Sequence, residues 1–163
     1  MARGVYVLKG QGLTVVNAVV TLAALRPDTS AAIEILRVWV SQDGSATSAM
    51  QSVELFTQPT TFPTVVAATP EKTARGDQAS VIVGGTALAA GTCGVNASAE
   101  GAGAKTVIVP DAFNVLDGWV WRTERDGNIV LPASYASCFG VHFPVAPTSL
   151  TRWNVGIMYR ELA

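Results

Sequence analysis

Apolar and polar residues alternate with a period of two along much of this chain, and the alternating runs are rich in β-branched and aromatic residues. IEILRVWVS (Ile33–Ser41), VELFTQ (Val53–Gln58), SVIVGG (Ser80–Gly85) and KTVIVP (Lys105–Pro110) read as strands. So do GWVWRTE (Gly118–Glu124), NIVLP (Asn128–Pro132), SCFGVHFP (Ser137–Pro144) and RWNVGIMYREL (Arg152–Leu162). Turn-forming clusters separate them: Gln42-Asp43-Gly44, Arg75-Gly76-Asp77, Asp126-Gly127-Asn128 and Ala146-Pro147-Thr148. LTVVNAVVTLAAL (Leu13–Leu25) is long enough for a helix, but its Val and Thr content and the preceding Gly12 favour one long or bent strand. Only Ala46–Ser52 reads as locally helical. Prolines 59, 63 and 70 bar a central strand from Thr57–Pro70, which reads as an extended loop or an edge segment. About eight short strands at intervals of roughly ten residues predict an all-β fold: an antiparallel β-sandwich or jelly roll with a long Gly/Ala-rich loop.

The alternation also assigns faces. In the last run Trp153, Val155, Ile157 and Tyr159 share one side, and Asn154, Gly156, Met158 and Arg160 the other. Trp119 and Trp121 oppose Val120 and Arg122. Between Ile33 and Ser41 the pattern fails, because Ile33, Ile35 and Trp39 fall on one side and Leu36, Val38 and Val40 on the other. A strand apolar on both faces needs cover on both. One cover is the sandwich core; a long loop or a neighbouring subunit would supply the second.

Composition narrows the class. The chain has 163 residues, 49% apolar and 14% charged, which suits one domain with a real core and excludes disorder. Its net charge of −1 comes from scattered groups, so no footprint for nucleic acid or anionic lipid exists, and so few charges suit a surface partly buried against a partner. Eight arginines against three lysines point the same way. MARGVYVLKG lacks an apolar run of signal-peptide length and no stretch reaches a membrane span, so the product is expected to be cytoplasmic when made. Cys93 and Cys138 have no CxxC spacing and read as buried free thiols.

Candidate chemistry is sparse. SAEGAGAKTVIVP (Ser98–Pro110) offers a lysine and threonine after glycines, but Ala99 and Ala104 replace the glycines a Walker loop needs, and strand-forming Val107-Ile108-Val109 follows where a helix is required. From Gly84 to Ala104, 13 of 21 residues are Gly or Ala, so this tract buries little surface of its own but lets its backbone approach another surface closely. It reads either as a solvent loop or as a loop packed on a partner or neighbouring subunit. The single histidine, His142, is expected to point outward with Gly140, away from Phe139, Val141 and Phe143. No ligand pattern for zinc or calcium appears, and no cofactor motif. Glu34 and Glu54, embedded in apolar strands, are expected to pair with an arginine such as Arg37 across the sheet. Asn96-Ala97-Ser98 matches a glycosylation sequon without the secretory context that would use it. The four tryptophans read as core or interface residues, each alternating in phase with other apolar positions.

IEILRVWVSQ, VIVGGTALAAGTCGVNASAEGAGAK, DAFNVLDGWVW and FGVHFPVAPTSLTRWNVGIMYREL together resemble small structural proteins of tailed-bacteriophage virions, the capsid decoration (cement) and head-fibre group. The resemblance implies a non-enzymatic, often trimeric β-sandwich or jelly-roll subunit on the capsid exterior, bridging major capsid proteins. It implies an N-terminal arm over residues 1–12 that contacts the shell, followed by one domain over 13–163. The expected subunit and capsid contacts are Arg3, Val5, Tyr6, Trp39, Ala90, Cys93, Val95, Trp119, Trp121, Trp153 and Tyr159. A head-fibre or tail subunit has the same texture. The rival from another class is a carbohydrate-binding module stacking sugars on Trp119 and Trp121, or on Trp153 and Tyr159.

Overall fold

The computed structural model describes residues 2–44, 47–124 and 127–162, and these form two sheets without a helix. The strands are β1 (Ala2–Leu13), β2 (Val20–Leu25), β3 (Ala32–Gln42), β4 (Met50–Gln58), β5 (Thr64–Ala67), β6 (Glu71–Lys72) and β7 (Val83–Gly84). They continue with β8 (Thr92–Ala99), β9 (Thr106–Asn114), β10 (Trp119–Arg122), β11 (Ile129–Leu131), β12 (Cys138–Phe143) and β13 (Trp153–Leu162). Sheet A runs β10-β3-β13-β1-β6, with β11 beside β10 along the same edge of β3. Sheet B runs β5-β8-β2-β12-β4-β9, with the short β7 also on β8. Every pairing is antiparallel except β7 with β8. The result is an antiparallel β-sandwich.

Several expectations are corrected. The segment expected to be an N-terminal arm is β1, held on both edges by β13 and β6. Its alternation of Tyr6 and Leu8 with Val5, Val7 and Lys9 is a strand signature that Gly4, Gly10 and Gly12 interrupt. The helix expected over Ala46–Ser52 does not form over Met50–Ser52, which begin β4; Ala46 lies outside the described residues, as does Asp126 of an expected turn. Leu13–Leu25 is not one strand, since residues 14–19 leave the sheet between β1 and β2. Ser80–Gly85 contributes only the two residues of β7. The proline-bearing stretch does supply an edge strand, β5.

The failed alternation in β3 has a local cause. Arg37 lies opposite Met158 and Ile35 opposite Tyr159, so Leu36 is the extra residue of a β-bulge. The bulge resets the phase of the strand. Ile33, Ile35, Val38 and Val40 therefore all enter the core, and Trp39 is left outside beside Arg37. Facing them from sheet B are Leu22, Leu25, Val53, Leu55, Phe139, Val141 and Phe143, all buried. Trp153 stands edge-on to Phe143 at 4.7 Å and to Phe113 at 6.3 Å, and its Nε1 donates to the Ser149 carbonyl at 2.9 Å. Trp119 bridges the two sheets at one margin, its Nε1 donating to Asp111 Oδ2 at 2.8 Å.

A second, smaller cluster of Ala24, Phe56, Val65, Leu88, Ala97 and Cys138 lies on the outer face of sheet B. Its roof is the chain between β4 and β9. Phe62 packs on it, and Arg26 sits over the Phe62 ring at 4.5 Å while donating to the Leu88 carbonyl. The Gly/Ala tract is not simply a loop: residues 92–99 are β8, and Gly101 and Gly103 cross residues 60–62 of the same chain backbone to backbone. A Cβ on Gly101 or Gly103 would overlap the carbonyl oxygens of Thr61 or Thr60, so only glycine fits these crossings.

Candidate functional site

Among the described residues, the outer face of sheet A has no such roof. Strand register arranges its outward residues in rows that run across four or five strands. Val120, Trp39, Gly156 and Lys9 form one row. Arg122, Arg37, Met158, Val7 and Glu71 form the next, and Val130, Glu34, Arg160 and Val5 the third. Trp39 lies flat over Gly156, where an added Cβ would overlap the indole ring. The glycine therefore makes the floor on which the tryptophan rests. Val120 and Val130 are each 49% exposed, so the apolar content of this face is open to contact.

Two depressions open at this face. One, of about 210 Å³, is lined by Lys9, Gly10, Gln11, Trp39, Asn154 and Val155. The other is a wider open cleft of about 640 Å³ bounded by Val120, Trp121, Arg122, Glu124 and Gly127. Charges on the face are unevenly matched. Arg160 pairs with Glu34 at 3.2 Å, and Lys9 with Glu71 at 2.9 Å. Arg37 instead carries its guanidinium 5.2 Å from the centre of the Trp39 ring.

On sheet B the titratable groups are shut in. Register aligns Thr21, His142 and Glu54 across β2, β12 and β4, and His142 Nε2 lies 2.8 Å from Glu54 Oε2. Glu100 reaches down from the roof to accept from the Thr21 hydroxyl at 2.6 Å, and Lys105 pairs with Glu100 at 2.8 Å. His142 does face away from the main core as expected, but it is buried beneath the roof, edge-on to Phe56 at 4.8 Å. Burial is the main influence that lowers its pKa; Lys105 adds to this, while the hydrogen bond to Glu54 opposes it. Glu34 does pair with an arginine across the sheet, Arg160 in place of Arg37, and also accepts from Asn128; Glu54 pairs with His142 and with no arginine.

A third polar group closes the far end of the sandwich. Glu161, wholly buried, accepts from Ser80 Oγ at 2.5 Å and from the Val81 backbone at 3.0 Å, with Arg3 Nε at 3.5 Å. Ser80 Oγ also meets the Tyr159 hydroxyl at 2.9 Å, and the Tyr6 hydroxyl donates to the Gln78 carbonyl at 3.0 Å. These bonds pin the 77–83 segment onto sheet A. Burial raises the pKa of both tyrosines, keeping them neutral donors.

The residues expected at subunit contacts are thus dispersed. Val5 and Trp39 do share one open face. Tyr6, Cys93, Trp153 and Tyr159 have no exposed surface, and Val95 and Trp119 almost none, because the sandwich core consumes them. That burial also removes Trp153 and Tyr159 as a sugar platform, and leaves Trp119 unable to serve with Trp121. Trp121 is half-buried, Arg3 is tied to Glu161, and Ala90 lies exposed in a turn before β8. Cys93 and Cys138 are buried free thiols, their pKa values pushed up to about 12 by desolvation. Sequence reading missed Arg37, Arg122, Val120, Met158 and Val7 as neighbours of Trp39. Only cross-strand register assembles them. Comparisons with protein-family models, with curated proteins and with solved structures found no match to this chain.

Proposed function

We propose that this chain is a structural subunit of a virion, a capsid decoration or cement protein of the tailed-phage type. In this reading it docks on the major capsid protein through the outer face of sheet A and associates with its own copies, as a trimer. The observation that carries the reading is the Trp39 face, where an indole on a glycine floor, with Val120, Met158 and Val7 near it and Val5 farther along, is bordered by arginines and lies open across four strands. Aromatic and arginine side chains at the centre of a flat patch are the composition of contact hot spots. The strand order supports it further. We read β1, β2, β3, β4, β9, β10 with β11, β12 and β13 as the eight strands of a jelly roll, alternating between the sheets except at the β4–β9 step within sheet B, with β5–β8 an insertion. Jelly rolls recur among viral capsid proteins. Repeated docking of such a subunit stabilises the assembled shell by mass action.

The test is co-sedimentation with shells of the major capsid protein, with sedimentation velocity on the free subunit. The expectation is saturable binding, a trimer at micromolar concentration, and loss of shell binding in Trp39→Ala. A monomer with no affinity for shells overturns the reading. Virion imaging with labelled protein separates a capsid position from a head-fibre or tail position. A second reading, a carbohydrate-binding module, draws on the depression where Trp39 meets Asn154, Gln11 and Lys9. It predicts fluorescence changes on a glycan panel, where the docking reading predicts none.

A further inference from the structure

We infer that Arg37 and Arg122 form a receptor for the carboxylate groups of an acidic segment on the protein that covers the sheet A face. The inference rests on the docking reading above and names the chemistry of its partner. Arg122 lies directly opposite Arg37 across the β10–β3 pairing, so register places two cationic side chains side by side on the outer face. Like charges directly opposed destabilise a sheet. Elsewhere the face avoids such a conflict by facing Arg160 with Glu34 and Lys9 with Glu71. Among the described residues, neither guanidinium of the Arg37–Arg122 pair takes part in an ion pair. Glu124 borders the same cleft as Arg122 without pairing to it. Arg37 Nε is shielded from solvent and has no hydrogen-bond partner.

The free subunit therefore holds a concentrated positive charge with unused donors at the edge of an apolar patch. Guanidinium forks match carboxylates in geometry, and a bridging carboxylate would relieve the repulsion as it binds. Trp39 fixes the Arg37 guanidinium from one side, so less freedom is lost when an anion arrives. Val7, Met158, Val5 and Val130 continue the apolar surface away from the pair, which suits a packed protein segment better than a small ion. Charge complementarity thus selects an acidic protein partner.

The experiment uses the full chain with hexaglutamate as probe, an oligoglucuronate of equal charge as the second arm and hexalysine as control. NMR follows the arginine Nε–H and Trp39 indole N–H signals. The expected result is that hexaglutamate shifts the Arg37, Arg122 and Trp39 signals and that Arg37→Gln or Arg122→Gln weakens this binding about tenfold. Arg122→Gln should also raise the melting temperature of the free chain by about 1–2 °C, since it removes the opposed charge. A merely structural arginine would lower it. The inference is overturned if hexaglutamate leaves these signals unmoved, if the glutamine variants bind it equally well, or if only oligoglucuronate acts. Shell binding that fails in Trp39→Ala but survives both glutamine variants also overturns it, while leaving the docking reading intact. Hexaglutamate binding at the pair in a chain that ignores shells supports the carboxylate site and sinks the docking reading instead.

Discussion

The outer faces of the two sheets carry comparable apolar residues and meet opposite fates. On sheet B, Phe56, Cys138 and Ala24 are wholly buried, although they point away from the main core. On sheet A, Val120 and Val130 remain half exposed and Trp39 lies on an open face. The difference follows from connectivity. β4 and β9 are neighbours in sheet B, so the long segment joining them leaves and returns there; it reaches sheet A only as β6 on the edge of β1 and as the 77–83 stretch at the end of the sandwich, while its 59–63 and 100–105 stretches lie over sheet B. Among the described residues, no segment of comparable length starts and ends on sheet A. An outward apolar residue thus signals a partner only where the chain's own loops cannot reach it.

The largest test of this contrast is Phe56→Ala. The ring is fully buried between His142 and Lys105, so its removal leaves a cavity under the roof and should cost about 3–5 kcal/mol in denaturant unfolding. A loss below about 1 kcal/mol would mean that the roof is not packed. Next comes Gly103→Ala. Its methyl group would collide with the Thr60 carbonyl and force the crossing segments apart, at a cost of about 2–4 kcal/mol. Hydrogen exchange should quicken in residues 98–105 and in β2, with sheet A unchanged. Uniform acceleration throughout both sheets would show instead that the roof and the sandwich open as one unit.

The roof also makes stability depend on pH. His142 titrates near 6.5 when unfolded, and its folded pKa is lowered chiefly by burial. The denatured chain then binds the proton more readily than the folded chain, so stability is complete above pH 6.5 and declines as pH falls from there toward the folded value. The groups that face the ring are Glu54 on β4 and Glu100 and Lys105 from the roof. Differential scanning calorimetry between pH 8 and 5 should show this decline, and His142→Gln should flatten its upper part. Superimposable wild-type and variant profiles would mean that the imidazole is solvated.

Much of the fold is legible in the sequence because strand alternation and turn chemistry are local properties. β4, β10, β11, β12 and β13 appear within a few residues of their positions for that reason. What is not legible depends on pairing. The bulge at Leu36 shifts the phase of β3 by one residue, and nothing within IEILRVWVS reveals that a partner strand will skip a position. The apparent excess of two-faced apolar surface disappears once Ile33, Ile35, Val38 and Val40 turn inward together. The Gly/Ala tract advertises close backbone approach, yet its composition cannot say whether the surface approached is foreign; here it is residues 60–62 of the same chain. The Trp39 face was half legible: the tryptophan stood out, but Gly156, Arg37 and Arg122 come to it only through register.

The smallest expected effect on the isolated chain is the one that matters most to the contrast. Trp39 rests on Gly156 and beside Arg37, with no place in either buried cluster. Trp39→Ala should therefore cost the free subunit less than about 1.5 kcal/mol, mainly the loss of partial burial and of the contact with Arg37. Phe56→Ala, an aromatic truncation on the equivalent face of the other sheet, should cost at least twice as much. A tryptophan that contributes little to its own fold yet is needed for association is a residue placed for a partner. A loss of 3 kcal/mol or more at Trp39 would reverse the inference, because the indole would then be acting as the roof that sheet A otherwise lacks, and its open face would have no surplus left to give.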